Sequence, residues 1–279
     1  MQIFTQISEL SRCISTHKAN GNRVGFVPTM GALHQGHLSL LAEAKAENDL
    51  TVVSIFVNPT QFNNKNDLLH YPRTEEKDGA LLRDNGCDIL FLPSVDEMYP
   101  SLETQHWDFG LLSTSLEGHY RPGHFDGVLT IVKKLFMAVN PDSAYFGEKD
   151  FQQLAIIKKM VVREKMPIII NACPTLREED GLAMSSRNMR LTHEQRTTAL
   201  NISRVLRQFE EMKATYSPEE MEVWGRQELE SNHSIRLEYL EIVDAQTFGP
   251  LTDWEDTPLA VALVAAYVGE VRLIDNVLL

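Results

Sequence analysis

The chain has 279 residues, of which 43% are hydrophobic and 23% are charged, and its formal net charge is −13. These values are ordinary for a globular protein that is long enough for two domains. The acidic balance disfavours an extended nucleic-acid surface, because a phosphate backbone would be repelled on average, but it allows a small nucleotide pocket.

Three cysteines, Cys13, Cys87 and Cys173, lie far apart and form no CxxC pair. They indicate three small buried residues in a reducing compartment. The start of the chain lacks the basic and apolar runs of a signal peptide. The longest apolar stretch, Leu259–Val268, is shorter than the ~20 residues that span a bilayer. We therefore expect a soluble, cytoplasmic protein with no membrane or nucleic-acid partner.

Short apolar runs alternate with helical patterns in the first part of the chain. In chain order, these patterns predict a strand, a helix, a strand, a helix and a strand at Val24–Pro28, Leu38–Ala44, Thr51–Val57, Glu75–Asn85 and Asp88–Leu92. A helix, a strand, a helix and a strand follow at Gly127–Val139, Ala144–Phe146, Gln152–Glu164 and Ile168–Ala172. This alternation predicts an α/β fold with a mostly parallel, Rossmann-like sheet, which binds ligands at the carboxyl ends of its strands.

The pattern changes beyond about Arg177. Helices are predicted at Thr192–Met212 and Pro218–Ser231, strands at Leu237–Val243 and Leu259–Val268, and the chain ends in the apolar stretch Val271–Leu279. We expect a first domain of residues 1–177 and a smaller α+β domain of residues 178–279.

Two histidines three residues apart, His34 and His37, mark the predicted start of a helix. This spacing puts both side chains on one face, where backbone N–H groups and the helix dipole favour an anion. Imidazoles there can hydrogen-bond a triphosphate, and Gly36 allows a base or a ribose to approach the backbone. Two ordinary histidines near a turn are the alternative, while a metal site is disfavoured because no acidic third ligand lies nearby.

Two other segments carry groups suited to phosphate. In Gly147–Asp150, which follows a predicted strand, Lys149 suits phosphate and Asp150 suits ribose hydroxyls. Met184–Asn188 combines two serine hydroxyls with the guanidinium of Arg187, and Gly181 before it is a candidate hinge for a lid. A solvated helix cap and an ordinary loop are the structural alternatives.

Uncharged and cationic side chains follow other predicted elements. Asn58 and Gln61 suit a hydroxy acid, and Arg121 suits a carboxylate or a leaving pyrophosphate. We interpret Tyr71–Thr74 as a structural turn and the acidic run Glu178–Asp180 as solvated surface. The chain contains no GxxxxGK[ST], GxGxxG or GxSxG motif, which disfavours P-loop kinases, dinucleotide dehydrogenases and serine hydrolases.

Taken together and in order, these segments resemble the pantoate–β-alanine ligase (pantothenate synthetase) family over nearly the whole chain. The resemblance is carried by Pro28–His37, Phe56–Phe62, Tyr71–Thr74, Tyr120–Phe125, Phe146–Leu154 and Ser185–Asn188. The HxGH element alone is shared with cytidylyltransferases and class I aminoacyl-tRNA synthetases, whereas the other segments point to this family. One departure is Arg190, where the family often has an aromatic residue.

The resemblance implies an AMP-forming ligase that converts ATP and (R)-pantoate to pantoyl adenylate, which β-alanine then attacks. Mg²⁺ is implied on the ATP phosphates rather than on protein ligands, together with a homodimer whose C-terminal domain closes over the active site. Implied catalytic residues are His37, the proton donor, with His34, Lys149 and Arg187. The implied ATP site comprises Met30, Gly31, Ala32, Leu33, His34, Gln35, Gly36, His37, Gly147, Glu148, Lys149, Asp150, Leu176, Met184, Ser185, Ser186 and Arg187. Pantoate and β-alanine are assigned to Gln61, Gln153, Asn58 and Arg121.

Other classes of protein stay open at this point. A nucleotidylyltransferase would use the same HxGH element on a phosphorylated substrate without releasing AMP. A class I aminoacyl-tRNA synthetase fragment would need a tRNA surface, which the acidic charge disfavours. A nucleotide sensor would bind ATP without turnover.

Overall fold

The computed structural model describes residues 1–101 and 105–279. The chain divides into two compact units, one of Met1–Glu148 with Gln152–Pro174 and one of Lys149–Phe151 with Thr175–Leu279. Among the helices of the described residues, none combines the length and the apolar character that crossing a bilayer requires.

A parallel sheet forms the centre of the first unit. Its six strands within the described residues are β1 (Gln2–Phe4), β2 (Val24–Thr29), β3 (Leu50–Ile55), β4 (Ile89–Phe91), β5 (Ser143–Gly147) and β6 (Ile169–Cys173), in the order β1-β4-β3-β2-β5-β6. β3 is buried along its whole length, as expected where helices cover both faces of a parallel sheet. The sheet confirms the predicted fold class.

Helices connect these strands. They are α1 (Ile7–Ala19), α2 (Gln35–Glu47), α3 (Lys65–Leu69), α4 (Glu75–Asp84), α5 (Val95–Met98), α6 (Leu111–Thr114), α7 (Glu117–Tyr120), α8 (His124–Val139) and α9 (Phe151–Arg163). Side chains of α2 and α4 form one core cluster with the sheet, including Leu41, Leu82 and Val53. The connections position the loops that follow the strands.

The predicted strands of this unit are present, with ends shifted by one or two residues. The sequence interpretation omitted β1 and α1, because β1 has only three residues and Gln6 before α1 gives no side-chain cap. The helix predicted at Gly127–Val139 begins at His124. Its start was missed because Gly123, with φ of 78°, provides no side-chain cap.

The second unit is built on an antiparallel sheet. Its strands are β7 (Ile235–Asp244), β8 (Ala260–Val268) and β9 (Val271–Leu278), in that order, and its helices are α10 (His193–Met212) and α11 (Pro218–Glu230). Apolar side chains of α10, among them Ile202, Leu206 and Phe209, pack in one cluster with β8. The unit therefore has its own core, as the predicted α+β class requires.

The three cysteines do not share one environment. Cys87 and Cys173 are buried, as expected, and burial raises the pKa of each thiol to about 11. The expectation was wrong for Cys13, which is partly exposed on α1, because it lies beside the two core positions Leu10 and Ile14 rather than on their face.

Candidate functional site

Three segments singled out from the sequence follow neighbouring strands. β2 pairs with β3 on one side and with β5 on the other. Because all three strands are parallel, their carboxyl ends lie at one edge of the sheet. The chain runs from β2 through β3 to β4 on one side of β2 and then returns to β5 on its other side, which is the switch in strand order where open α/β sheets bind ligands. The loops at Met30–His34 and Asn58–Gln61 follow the ends of β2 and β3, and Gly147–Glu148 lies at the end of β5.

The loop after β2 has a left-handed backbone at two successive residues, Gly31 with φ of 80° and Ala32 with φ of 50°. The backbone N–H groups of Ala32 and Leu33 donate to the Asp78 carboxylate, at 2.8 Å to Oδ2 and 2.9 Å to Oδ1. Thr74 donates its hydroxyl to the same carboxylate at 3.1 Å. The turn at Tyr71–Thr74 therefore has the structural role predicted for it, through Asp78.

His34 and His37 lie side by side at the start of α2, with ring centroids 4.1 Å apart. His34 is the N-cap residue, and its Nδ1 accepts from Gly36 N at 3.2 Å. Nδ1 of His37 accepts from His34 N at 3.3 Å. Because each Nδ1 accepts a backbone hydrogen bond, Nε2 is the ring nitrogen that can act as a donor in both imidazoles. Each ring thus has an Nε2–H donor at a helix N-terminus, the place where anions bind.

Buried side chains organise the loop after β3. Asn58 donates from Nδ2 to Gln61 Oε1 at 3.2 Å and to Gly127 O at 3.1 Å. Its Oδ1 accepts from the Tyr99 hydroxyl at 2.8 Å and from the Thr60 hydroxyl at 3.0 Å. These bonds assign Asn58 a role in holding the short 3₁₀ turn Pro59–Gln61, and its predicted contact with a substrate stays a prediction.

Gln61 reaches the loop that precedes α2. Its Nε2 donates to the Met30 sulfur at 2.8 Å, and its side chain is buried. The Gln61 backbone carbonyl accepts from His124 Nδ1 at 2.8 Å and from the Arg121 guanidinium at 3.4 Å. The structure therefore brings together Met30, Gln61 and Arg121, which the sequence interpretation had assigned to three different segments.

Arg121 also pairs with the buried Glu117 carboxylate at 3.0 Å. The Glu117 backbone N–H donates to Gln152 Oε1 at 3.1 Å, and Gln152 Nε2 donates to Leu112 O and Ser115 O, both at 3.0 Å. Gln152 is thus a buried structural residue of the first unit. Gln153, the predicted pantoate ligand, is partly exposed, and its side chain makes no hydrogen bond to residues 1–101 or 105–279.

In the second unit, Lys149 and Asp150 lie on a 3₁₀ turn, with Lys149 Nζ 4.0 Å from Asp150 Oδ2. Asn276 on β9 donates from Nδ2 to the Lys149 carbonyl at 2.8 Å. The Asp150 side chain is about half exposed. The turn is therefore tied to the second unit's sheet through its backbone.

The segment from Leu176 to Arg187 forms a second element of this unit. Arg177 and Ala183 form an antiparallel bridge, and Met184 N donates to Leu176 O at 3.0 Å. The Arg177 guanidinium makes a two-pronged ion pair with the buried Asp275, at 2.7 and 3.0 Å. The hydrogen bonds to the Asp275 carboxylate raise the pKa of Arg177 above its usual value. Asp275 was missed because it lies in a stretch that the sequence marks as apolar.

Gly181, the candidate lid hinge, lies in the turn between Arg177 and Ala183 with φ of 92°. Ser185 caps the 3₁₀ helix Ser186–Arg190 by accepting from Arg187 N at 3.2 Å. Ser186, Arg187 and Arg190 thus belong to one short helix, which Ser185 caps.

The interpretation of Glu178–Asp180 as solvated surface is correct for Glu179 and Asp180, which are exposed, but wrong for Glu178, which is partly buried. Arg196 on α10 binds Glu178 at 2.7 Å and Asp180 at 2.6 Å, and Asn188 donates to Glu178 at 2.9 Å. Although partial burial acts in the opposite direction, these hydrogen bonds lower the pKa of both carboxyls. The acidic run anchors the segment that precedes Arg187, because its partners come from α10 and from Asn188.

Comparisons with known proteins identify the family that the whole chain matches. The family model described as pantoate-beta-alanine ligase matches residues 2–278. The chain is 49% identical to a pantothenate synthetase of Porphyromonas gingivalis over 277 residues, 99% of each chain. It is 50% identical to one from Bacteroides thetaiotaomicron over 277 residues, 99% of this chain and 98% of the relative.

Two solved structures extend the comparison. Pantothenate synthetase from Thermus thermophilus has a TM-score of 0.93 and 43% identity, with 99% of both chains covered. Pantoate-beta-alanine ligase from Francisella tularensis, in complex with beta-gamma ATP and beta-alanine, has a TM-score of 0.82 and 38% identity, covering 100% of this chain and 97% of that one.

Proposed function

Because this chain belongs to the pantoate–β-alanine ligase family, we propose that it condenses (R)-pantoate with β-alanine at the expense of ATP. The products are pantothenate, AMP and pyrophosphate, and the intermediate is pantoyl adenylate. A carboxylate is a poor acyl donor, and adenylation supplies AMP as its leaving group. The protein then needs no nucleophile of its own, only the placement of reactants and the stabilisation of charge.

The reaction has two balanced steps. A pantoate carboxylate oxygen attacks the α-phosphorus of ATP, a new P–O bond forms, and the bond to the β-phosphate oxygen breaks to release pyrophosphate. The neutral β-alanine amine then attacks the acyl carbon, the C–O bond to AMP breaks, and the nitrogen loses one proton, so that the secondary amide keeps one N–H.

One observation carries the proposal, which is the hydrogen bond of 2.8 Å between Gln61 Nε2 and the Met30 sulfur. Met30 opens the segment that we assign to ATP, and Gln61 is the residue that we assign to pantoate. With these assignments, their contact supports binding of the two reactants at the adjacent carboxyl ends of β2 and β3. Adjacency of this kind is what an in-line attack on the α-phosphorus needs.

His34 and His37 act in this proposal as charge-stabilising donors. Their Nδ1 atoms accept from backbone N–H groups, so each ring can donate Nε2–H to phosphate oxygens. His37 is the proton donor of the hydrogen bond to the leaving pyrophosphate. Lys149 and Arg187 supply positive charge, and Mg²⁺ arrives on the ATP phosphates as part of the substrate.

The remaining assignments are proposals based on the family. ATP contacts fall to Met30–His37, Gly147–Asp150, Leu176 and Met184–Arg187, and substrate contacts fall to Gln61, Gln153, Asn58 and Arg121. We also propose a cytoplasmic homodimer with domains at residues 1–177 and 178–279, of which the second closes over the site. Light scattering tests the dimer, with an expected mass twice the 31.7 kDa of one chain.

The test of function is a reconstitution with purified protein, MgATP, pantoate and β-alanine, in which AMP, pyrophosphate and the amide are measured separately. All three are expected in equal amounts. Without β-alanine, pantoate alone should support exchange of labelled pyrophosphate into ATP. Binding of ATP without AMP release would indicate a nucleotide sensor, and nucleotide transfer to a phosphorylated substrate would indicate a nucleotidylyltransferase.

A further inference from the structure

Asp78 is a buried carboxylate that faces the backbone of the ATP segment. Its side chain is 1% exposed, and it accepts from the N–H groups of Ala32 and Leu33 and from the Thr74 hydroxyl. Each carboxylate oxygen thus receives one backbone N–H. A buried charge is tolerated when donors of this kind surround it. Asp78 also lies in the first turn of α4, where the positive end of the helix dipole stabilises a negative charge.

The backbone that Asp78 binds is strained. Ala32 has φ of 50°, a left-handed conformation that a residue with a Cβ adopts only when its surroundings enforce it. Gly31 before it has φ of 80°, and a Cβ there would lie 3.2 Å from Asp78 Oδ2 and 3.0 Å from the Ile55 side chain. The turn therefore lies directly against the carboxylate.

Successive N–H groups in such a turn form a concave site for an anion. In many nucleotide-binding turns that anion is a phosphate. Here the N–H groups of Ala32 and Leu33 are occupied by the protein's own carboxylate. The next residue, His34, is the N-cap of α2, so the direction in which the two imidazoles point depends on how this turn is held.

We propose that Asp78 is a positioning residue for adenylation, because it fixes the Gly31–Leu33 turn and thereby aims His34 and His37 at the ATP phosphates. This inference rests on the proposed function and deepens it. Asp78 does not touch the substrate in this role. Asp78 holds the Gly31–Leu33 turn in one conformation. Its loss should therefore slow adenylation, the step in which charge develops on phosphate.

The test compares Asp78→Asn with Asp84→Asn, the same substitution at an exposed position of the same helix. An amide has one acceptor oxygen, so one of the two backbone N–H groups must face an NH₂ donor. In Asp78→Asn, hydrogen exchange at the Ala32 and Leu33 amides is expected to be about 10- to 100-fold faster. Pantoate-dependent exchange of pyrophosphate into ATP should be slower by about 10- to 100-fold. Asp84→Asn should match the wild type in both measurements.

The second half-reaction provides a readout that general damage would move. With synthetic pantoyl adenylate, Asp78→Asn should keep the wild-type KM for β-alanine. Unchanged pyrophosphate exchange in Asp78→Asn would overturn the inference, as would unchanged protection of the two amides. If the wild type and Asp84→Asn both form no AMP from the two acids, the proposed function fails instead.

A milder variant covers the case in which Asp78→Asn does not fold. Thr74→Val removes the hydroxyl donor at nearly constant volume and keeps both backbone hydrogen bonds. Severalfold faster exchange at Ala32 and Leu33, together with slower pyrophosphate exchange, is the expected result. Wild-type values for either measurement in a folded Thr74→Val protein would contradict the positioning role.

Discussion

Gly127 allows α8 to approach the backbone of the Gln61 turn closely. A Cβ at this position would lie 2.4 Å from Thr60 O and 2.8 Å from Gln61 N. Both are backbone atoms, so no side-chain rotation relieves the overlap. Gly127→Ala must therefore separate α8 from the Pro59–Gln61 turn.

The cost of this substitution follows from three effects. Overpacking typically costs about 1–3 kcal/mol, and weakening the bond of 3.1 Å from Asn58 Nδ2 to the Gly127 carbonyl costs about 1 kcal/mol. Alanine returns at most about 1 kcal/mol through its higher helix propensity. We expect a net loss of about 2 kcal/mol, which lowers Tm by about 4–8 °C. Displacement of Gln61 should raise the KM for pantoate about tenfold or more, with a smaller change for ATP.

Gly79→Ala is the matched control. Gly79 is also a buried helical glycine, but a Cβ there would meet only Leu90 Cδ2, at 3.8 Å, which is ordinary contact. This substitution should stabilise the protein by about 0.5–1 kcal/mol and leave both KM values unchanged. Thermal unfolding and steady-state kinetics of the two variants measure both effects.

The sign of the difference decides the outcome. If Gly127→Ala raises Tm as Gly79→Ala does, α8 and the turn have room that the structure does not show. If Gly127→Ala lowers Tm but leaves the KM for pantoate unchanged, the turn does not position a pantoate ligand. Either result would refute the link between this packing and substrate binding.

Three further predictions concern single side chains. His37→Ala should keep the wild-type Tm and lower pantoate-dependent pyrophosphate exchange about 10²–10³-fold, so near-normal exchange would remove His37 from the mechanism. Gln61→Ala should impair pantoate use more than ATP binding in titrations of each ligand, and equal loss of both would indicate misfolding. At pH 8, Cys87 and Cys173, with pKa raised to about 11, should be protonated and unreactive toward dithionitrobenzoate, whereas Cys13 should react rapidly. Three fast thiols in the folded protein would contradict this assignment.

The sequence predicted the parallel sheet because its strands are local patterns. Apolar runs such as Val24–Pro28 are visible within a few residues, and the motif segments fall at the ends of these runs. The helix that begins at His124 was placed three residues late, because the signal at its start is a left-handed glycine rather than a capping side chain. Boundaries of this kind depend on backbone conformation, which residue type alone does not specify.

The groups that hold the site were less predictable, since they act over long separations. Arg177 and Asp275 are 98 positions apart, and Asp275 occupies a stretch with the pattern of a buried strand. Gln152 and Gln153 are chemically identical neighbours. They differ in the direction in which the helix turns them. Gln152 is buried and donates to the carbonyls of Leu112 and Ser115, which makes it structural, whereas Gln153 stays a candidate ligand.

Motif residues and the residues that hold them should fail in different ways. The His37 ring accepts a weak hydrogen bond of 3.3 Å from the His34 backbone N–H, so we expect its loss to remove chemistry while the fold stays intact. Asp78 and Gly127 are buried against backbone, so their loss must change both stability and the position of a motif residue. A drop in activity at constant Tm therefore identifies a group that acts on substrate. A lower Tm together with a specific kinetic defect identifies a residue that positions such a group. For Asp78 the expected defect is slower adenylation, and for Gly127 it is a higher KM for pantoate.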